Sequence, residues 1–276
     1  MKMVSGTETV RRPAVAGYFY PKDRQDLQRT IERLRPLGAA PRAARAAIVP
    51  HGSYDRCGGV IGSTLGQIEI PRRCVIIGPS HTGSWMPWNL LSGGSYRTPL
   101  GDVPIDAEMA HRLRQRCSFL YPGEGTQQGE HAIEVVLPFL QHLGPGDLAV
   151  MPVLINSDQA EELQQFTSAL ADVVQDTPER VLLIASTDLT HFQSVEQTRL
   201  RDVPLIQWLC GLDTDALLRH VHGSGASMCG YAAAAAVTGA AKMLGAAQGV
   251  LTQYATSADT DGDPDSAVGY AGIIIE

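Results

Sequence analysis

The sequence has few of the features that mark secreted, membrane-spanning or nucleic-acid-binding proteins. Its five cysteines are scattered singly, and an odd, unpaired set does not form a disulfide framework. The most apolar stretch, 231–247, is mostly alanine and is interrupted by Gly239, Lys242 and Gly245, so a buried helix is expected there and not a membrane span. The N-terminus has no apolar core of signal-peptide length. We therefore expect a cytoplasmic protein with reduced thiols and no membrane partner.

Charge and motif content exclude further classes. The net charge is −7, which argues against nucleic acid as the main partner, because nucleic-acid-binding proteins carry a basic face. No dinucleotide-binding glycine pattern, Walker loop or H-E-x-x-H pair is present. The segment 78–81 lacks the spacing of a hydrolase nucleophile elbow. The acidic turn 259–263 lacks the twelfth-position glutamate of a calcium loop, so we expect a solvated turn.

Strand and helix patterns alternate along the chain, which is typical of an α/β fold. Short branched, apolar runs predict strands, and apolar residues at helical spacing predict helices, among them 23–34, 132–143 and 158–174. No linker composition or internal repeat divides the 276 residues. We therefore predict one domain over 1–276, with residues 1–12 flexible.

Three apolar strands each lead into a histidine. The run 46–49 leads into His51, 75–77 into His81, and 181–185 into His191. Ligands of open α/β sheets bind at the carboxyl ends of strands, and the ends of neighbouring strands lie about 5 to 10 Å apart. A single core histidine is more often a hydrogen-bonded structural residue, but three in equivalent places favour one shared site.

Cys229 is the fourth candidate ligand. It lies in the glycine-rich loop 223–230, at the start of the alanine-rich helix, where helix N–H groups and the dipole favour a thiolate. The alternative is a small buried apolar residue, which suits the other cysteines, although Cys57 follows His51 closely. Two imidazoles with one thiolate favour Fe(II), Cu(I) or Zn(II) and leave a coordination position open.

Further polar residues lie near these positions. Asp188 precedes His191 by three residues, a spacing at which a carboxylate can orient an imidazole, although Asp188 could equally cap the following segment. Glu130 and His131 form an acidic and histidine cluster with Glu134 at a predicted helix start, a weak signal on its own. Tyr54 either donates a hydrogen bond near His51 or packs in the core.

These segments together resemble the MEMO family, known in prokaryotes as AmmeMemoRadiSam system protein B. The resemblance runs nearly end to end, and no single motif carries it. It covers the aromatic segment 12–20, Pro50-His51 with Tyr54, 78–81, 96–101, Glu130-His131 with Glu134, 186–191, Cys229-Gly230 and 268–271. One departure is that the usual P-H-A-G-Y reads Pro50-His51-Gly52-Ser53-Tyr54 here.

The resemblance implies a fold like that of class III extradiol dioxygenases, with a mostly parallel or mixed sheet and helices on both faces. It implies a metal site at His51, His81 and Cys229, with His191 as base and Asp188 as its orienter. Iron(II) is expected first, copper second and zinc third. A further set of residues would contact either the substrate or the metal-binding side chains: Tyr54, Ser80, Glu130 and His131.

Three functions follow from this interpretation. The first is a non-haem iron enzyme that uses O2 on an aromatic or other electron-rich small molecule. The second is a non-enzymatic metal-binding or redox adaptor, or a protein partner of a radical-SAM system. The third, a cysteine or zinc hydrolase, ranks lowest because no oxyanion-hole pattern is visible. The sequence specifies neither the substrate nor the oligomeric state.

Overall fold

The computed structural model describes residues 9–35, 40–82, 86–123, 127–157 and 159–276. Its strands are β1 Val10–Arg11, β2 Ala46–Val49, β3 Arg73–Pro79, β4 Trp88–Leu90, β5 Ser95–Thr98, β6 Gly101–Pro104, β7 Tyr121–Pro122, β8 Ala149–Ile155, β9 Val181–Ser186, β10 Gly249–Thr256 and β11 Gly269–Ile275. Its helices are α1 Arg24–Leu34, α2 Tyr54–Leu65, α3 Ala107–Arg116, α4 Leu137–Leu143, α5 Ala160–Gln175, α6 Val195–Cys210, α7 Thr214–Ser224, α8 Tyr231–Met243 and α9 Ala258–Asp261. None of the helices in these ranges is both long and apolar enough to span a membrane.

One large mixed sheet organises the chain. Its strand order is β10-β11-β2-β9-β3-β8-β4-β7, and the four central strands β2, β9, β3 and β8 are parallel. Strand β11 runs antiparallel to β2, and β4 runs antiparallel to β8. A small second sheet joins β1, β5 and β6. The predicted α/β fold with a mixed sheet is confirmed.

The central strands are apolar throughout because both faces of the sheet are covered. Along β9, Leu183 and Ala185 face one apolar core, whereas Leu182 and Ile184 face the other. Helix α8 packs on the first face and α2 on the second. A strand buried on both sides cannot alternate apolar and polar residues, which explains the unbroken run seen in the sequence.

The expectation of a flexible N-terminus is wrong for residues 9–12, and residues 1–8 lie outside the described residues. Val10 and Arg11 form β1, which pairs with β5. Arg11 is buried, and its guanidinium forms an ion pair with Glu134. A buried, paired arginine cannot belong to a loose segment, because leaving either charge unpaired in the interior is costly.

The predicted helix 132–143 begins later than expected. Residues 132–136 form successive turns, and α4 starts at Leu137. Pro138 lies in the first turn of α4, where its missing N–H costs nothing; a proline deeper inside a helix would break it. The turns keep Glu130 and His131 in a loop, which matters for the site. Asp158, the predicted start of α5, lies outside the described residues.

Candidate metal centre

The sheet topology brings the histidine-bearing strand ends together. Strand β9 lies between β2 and β3, so the strands that lead into His51, His191 and His81 are immediate neighbours. Val49 of β2 is paired with Ser186 of β9, which places their carboxyl ends side by side. The rings of His51 and His81 lie 5.0 Å apart between centroids.

Cys229 completes a group that could hold a metal ion. One ligand atom from each of His51, His81 and Cys229 lies within 4.8 Å of the others. The Cys229 Sγ is 3.3 Å from His51 Nε2. Two ligand atoms on one ion are separated by about 3.5 Å, judging from ordinary metal–sulfur and metal–nitrogen distances. The three side chains therefore fit a metal ion, and they are the three named from the sequence.

Gly230 allows Cys229 to approach the end of β9. A Cβ atom at position 230 would lie 2.6 Å from the Ser186 carbonyl oxygen and 2.7 Å from the Thr187 Cβ. Any other residue would push the loop away from the strand. The Gly230 N–H donates to the Thr187 hydroxyl at 2.9 Å, which fixes the loop there. Because α8 starts at Tyr231, this contact sets where the Cys229 sulfur lies.

The hydrogen bonds of His51 leave its Nε2 available as a ligand. Ser186 donates its single hydroxyl proton to the Ala132 carbonyl at 2.6 Å. At the 2.8 Å contact with His51 Nδ1 the Ser186 oxygen must therefore accept, so Nδ1 carries the proton. Burial, followed by the neighbouring His81 and His131, lowers the pKa of His51 well below its usual value. The ring is neutral, and its Nε2 lone pair faces the Cys229 sulfur.

Glu130 orients His81 in the same way. Its Oε1 is 2.9 Å from His81 Nδ1, and its Oε2 accepts from the His81 backbone N–H. Burial would raise the pKa of Glu130, but the hydrogen bond from His81 and backbone N–H groups outweigh it and lower the pKa to about 2. The carboxylate is therefore charged and accepts the Nδ1 proton, so Nε2 is the nitrogen of His81 that could bind a metal ion. Although burial lowers the pKa of His81, the hydrogen bond and the charge of Glu130 raise it overall, so metal binding would compete with protonation of Nε2. A carboxylate behind a histidine is the usual support of a metal ligand.

The Cys229 thiol differs from the sequence-based expectation. Burial, and then the negative charge of Asp188, raise the pKa of Cys229 to about 12, although helix position alone predicted a lowered pKa. The Asp188 N–H donates to Sγ at 3.3 Å, but this does not offset burial. A thiol this weakly acidic is a poor free nucleophile at neutral pH, whereas a bound metal ion deprotonates a coordinating thiol outright. The environment therefore suits a metal ligand better than a hydrolase nucleophile.

His131 lies beside the three candidate ligands. Its ring stacks on His81 at 4.6 Å and meets His51 edge-on at 5.5 Å between centroids. His81, Glu130 and His131 form a second group with metal-ligand spacing. Oε1 of Glu130 already accepts from the His131 and Ala132 backbone N–H groups as well as from His81. The lone pairs of Oε1 are thus occupied. Glu130 therefore holds the neighbouring residues by accepting their hydrogen bonds and is not itself assigned as a metal ligand.

Asp188 and His191 both lie by the cluster, but they are not hydrogen-bonded to each other among the described residues. Asp188 Oδ1 accepts from the His51 backbone N–H at 2.9 Å. Burial lowers the pKa of His51 and raises that of Asp188, and His191 lowers both pKa values by a smaller amount. Nδ1 of His191 is buried without a hydrogen-bond partner. No hydrogen bond among the described residues therefore supports the predicted role of Asp188 as orienter of His191. The Asp188 carboxylate positions the backbone of His51 instead.

The remaining predicted residues separate into two environments. Tyr54 packs in the core between Tyr20 and Phe139, and its hydroxyl donates to the Val135 carbonyl at 2.8 Å, so the packing alternative is the one observed. Cys57 is also buried in that core. Ser80, by contrast, lines a cavity of about 470 Å³ together with His81 and Cys229, and its buried Oγ has no partner.

Several residues of the site were missed by sequence reasoning. Asn156 and Ser157 follow β8, the parallel strand next to β3, and they line the same cavity. The rule that polar residues after parallel strands meet at one edge would have found them. Ser186 lies in the segment 186–191 that carries the resemblance, but the sequence alone assigns it no role. A larger cavity of about 760 Å³ lies at the opposite end of the sheet, near Arg45 and Glu276, and contains none of the candidate ligands.

The fold and this cluster define a class: an α/β protein with a histidine and cysteine metal-ligand group at the carboxyl edge of its central strands. Comparison with known proteins identifies the family. The profile described as Memo-like protein matches residues 11–274. A MEMO1 family protein of Methanopyrus kandleri is 34% identical over 277 residues, covering 96% of this chain and 98% of the relative. The MEMO1 family protein of Aquifex aeolicus is 34% identical, with the same coverage of both chains. The chain belongs to the Memo-like family.

One solved structure supports the fold. An uncharacterized protein from Escherichia coli K12 superposes with a TM-score of 0.55 at 15% identity, covering 84% of this chain and 99% of that one. At this identity the similarity concerns the fold alone.

Proposed function

We propose that the protein is a mononuclear non-haem iron(II) oxygenase acting on an electron-rich small molecule. The observation that carries the proposal is the convergence of His51 Nε2, His81 and Cys229 Sγ within 4.8 Å, beside a cavity of about 470 Å³. When bound, iron(II) would supply open coordination positions and the redox chemistry for the reaction of O2 with the substrate.

The chain itself would prepare the ligands and handle the proton. Ser186 and Glu130 accept the Nδ1 protons of His51 and His81, so Nε2 is the nitrogen that each ring would offer to the metal ion. His191 has a buried Nδ1 without a partner, which makes it the candidate to take a proton from the substrate and return it. Ser80, whose Oγ also lacks a partner, would donate to a polar atom of the substrate in the cavity.

Metal content tests the ligand assignment. Protein purified without oxygen should bind about one iron(II) per chain, with copper and zinc measured in parallel as competitors. The substitutions His81→Ala and Cys229→Ala should abolish binding. The matched controls are His111→Ala and Cys210→Ala, which remove the same side chains outside the cluster. Retention of the metal by both cluster variants would overturn the assignment.

Oxygen consumption tests the reaction. The iron-loaded protein should take up O2 in the presence of at least one member of a panel of phenols, catechols and indoles. His191→Ala should lose this uptake while keeping its iron, because His191 is assigned to proton transfer and not to the ligand set. Metal binding without any uptake across the panel would refute the oxygenase proposal.

A second candidate is a non-enzymatic metal-binding partner protein. It is favoured by the absence of a hydrogen bond between Asp188 and His191 among the described residues, since an acid–base pair in an enzyme is normally held by such a contact. Under this alternative the iron-loaded protein would bind a protein partner, such as a radical-SAM protein, and His191→Ala would leave that binding unchanged.

A further inference from the structure

The N-terminal arm, residues 10–20, contacts two of the segments that support the candidate ligands: the start of α2 after His51, and the loop that contains Glu130 and His131. Phe19 lies edge-on to the His131 ring at 5.1 Å, and its carbonyl accepts from the Tyr54 N–H at 2.8 Å. Tyr54 is the first residue of α2, immediately after the His51 loop. The arm therefore touches the segments that carry both His51 and His131.

Arg11 connects the arm to Glu130. Its guanidinium is buried and makes three separate contacts: Nε donates to the Gln127 carbonyl at 3.1 Å, Nη2 donates to the Glu130 carbonyl, and Nη1 pairs with Glu134. The guanidinium carbon also lies 4.9 Å from the centre of the Tyr96 ring. A planar group with several fixed donors binds two loop carbonyls and the Glu134 carboxylate at once, and the single nitrogen of a lysine ammonium cannot reproduce that geometry.

Glu134 holds the arm from the other side. Its carboxylate accepts from the Ala14 and Val15 backbone N–H groups at 2.8 and 3.0 Å and from the Tyr20 hydroxyl at 2.6 Å. Together with the Arg11 pair, these contacts make Glu134 the point to which the whole arm is fixed. Glu130, four residues earlier, in turn holds the backbone and ring of His81.

We infer that the arm is part of the metal site, and that Arg11 is a positioning residue which acts on His81 through Glu130. The inference rests on the proposed metal centre at His51, His81 and Cys229. Its physical basis is that the Glu130 carboxylate can hold His81 in the ligand orientation only while the backbone of the 127–134 loop is fixed. Arg11 binds two carbonyls of that loop, including that of Glu130 itself. Docking of the arm and binding of the metal are then linked, and each strengthens the other by the same factor.

The first test measures metal affinity with Co(II), whose thiolate absorption bands report the metal bound to sulfur. Arg11→Met should raise the Co(II) dissociation constant about tenfold, the low end of the effect of losing a support behind a ligand. Arg11→Lys keeps the positive charge but not the planar set of guanidinium donors, so its Co(II) dissociation constant should be intermediate. Arg12→Met is the matched control: it removes the neighbouring exposed arginine and should leave the Co(II) affinity within about twofold.

Arg11→Met leaves Glu134 buried and unpaired, so the variant could fail to fold. The double variant Arg11→Met with Glu134→Gln removes that charge and should fold while still binding Co(II) more weakly than the wild type. If the folded double variant binds Co(II) as tightly as the wild type, the inference is wrong and the metal centre stands. If the wild type itself binds no Co(II), both fall.

The second test uses the unmodified protein. Hydrogen exchange of the Ala14 and Val15 amides reports docking, because both donate to Glu134. Saturating Co(II) should slow their exchange, because a metal ion that binds more tightly while the arm is docked must stabilise the docked arm by the same factor. The Ala216 amide, which donates to Asp213 at the start of α7, serves as a distant control and should not change. Unchanged exchange at Ala14 and Val15 would overturn the inference.

Discussion

Replacing Glu130 by glutamine tests the support of the candidate ligands most directly. The carboxylate accepts four hydrogen bonds, from the ring and backbone of His81 and from the backbone N–H groups of His131 and Ala132. Glutamine has the same shape, but one of its two terminal atoms is a donor. Placing its oxygen at the position of Oε1 would keep three bonds and turn the amide NH2 toward the His81 N–H.

The magnitude follows from this count. The lost bond leaves the part-buried His81 N–H facing an amide donor, which costs about 1–3 kcal/mol. The three remaining bonds lose their charge assistance, and charge-assisted bonds are roughly twice as strong as neutral ones. We therefore expect Glu130→Gln to lower the free energy of unfolding by about 3 kcal/mol and the Co(II) affinity by about 10- to 100-fold.

Urea unfolding and Co(II) titration measure the two effects separately. The control is Asp106→Asn, since Asp106 is a buried carboxylate that caps α3 and pairs with Arg73 at the opposite end of β3. This control should lose stability without losing Co(II) affinity. If Glu130→Gln binds Co(II) within about twofold of the wild type, the carboxylate does not hold His81 as a ligand and the reasoning is refuted.

Three further predictions follow from the same contacts. Ser186→Ala removes the acceptor of the His51 Nδ1 proton, so Co(II) affinity should fall about tenfold in the same titration, and wild-type affinity would contradict the tautomer assigned here. Gly230→Ala places a methyl group 2.6 Å from the Ser186 carbonyl, so unfolding experiments should show a loss of about 1–3 kcal/mol together with weaker Co(II) binding; an unaffected Co(II) spectrum would show that the Cys229 loop tolerates displacement. Tyr54→Phe leaves the Val135 carbonyl unpaired, so the free energy of unfolding should fall by about 1 kcal/mol while the Co(II) affinity stays unchanged. A change in Co(II) affinity would show that Tyr54 contributes to the metal site.

The sequence by itself determined the strands and the candidate ligands. A strand covered on both faces has to be apolar throughout, so β2, β3 and β9 were recognisable from unbroken runs, and the histidine after each run was visible without a structure. Cys229 was recognisable because a glycine-rich loop preceded a helix of small residues. These signals are local, since each lies within a few residues of the element that it marks.

The tertiary structure decided which of these residues act together and which partners hold them. Strand order is not encoded in any short segment, and the order β2-β9-β3 is what brings His51, His191 and His81 to one edge of the sheet. The contact of Ser186 with His51 and the attachment of Arg11 to Glu134 join residues more than a hundred positions apart. The same holds for Asp188, whose sequence spacing pointed to His191, whereas its carboxylate binds the His51 N–H. Local patterns fix which elements form, but long-range packing selects hydrogen-bond partners, because any buried donor must take whichever acceptor the fold brings to it.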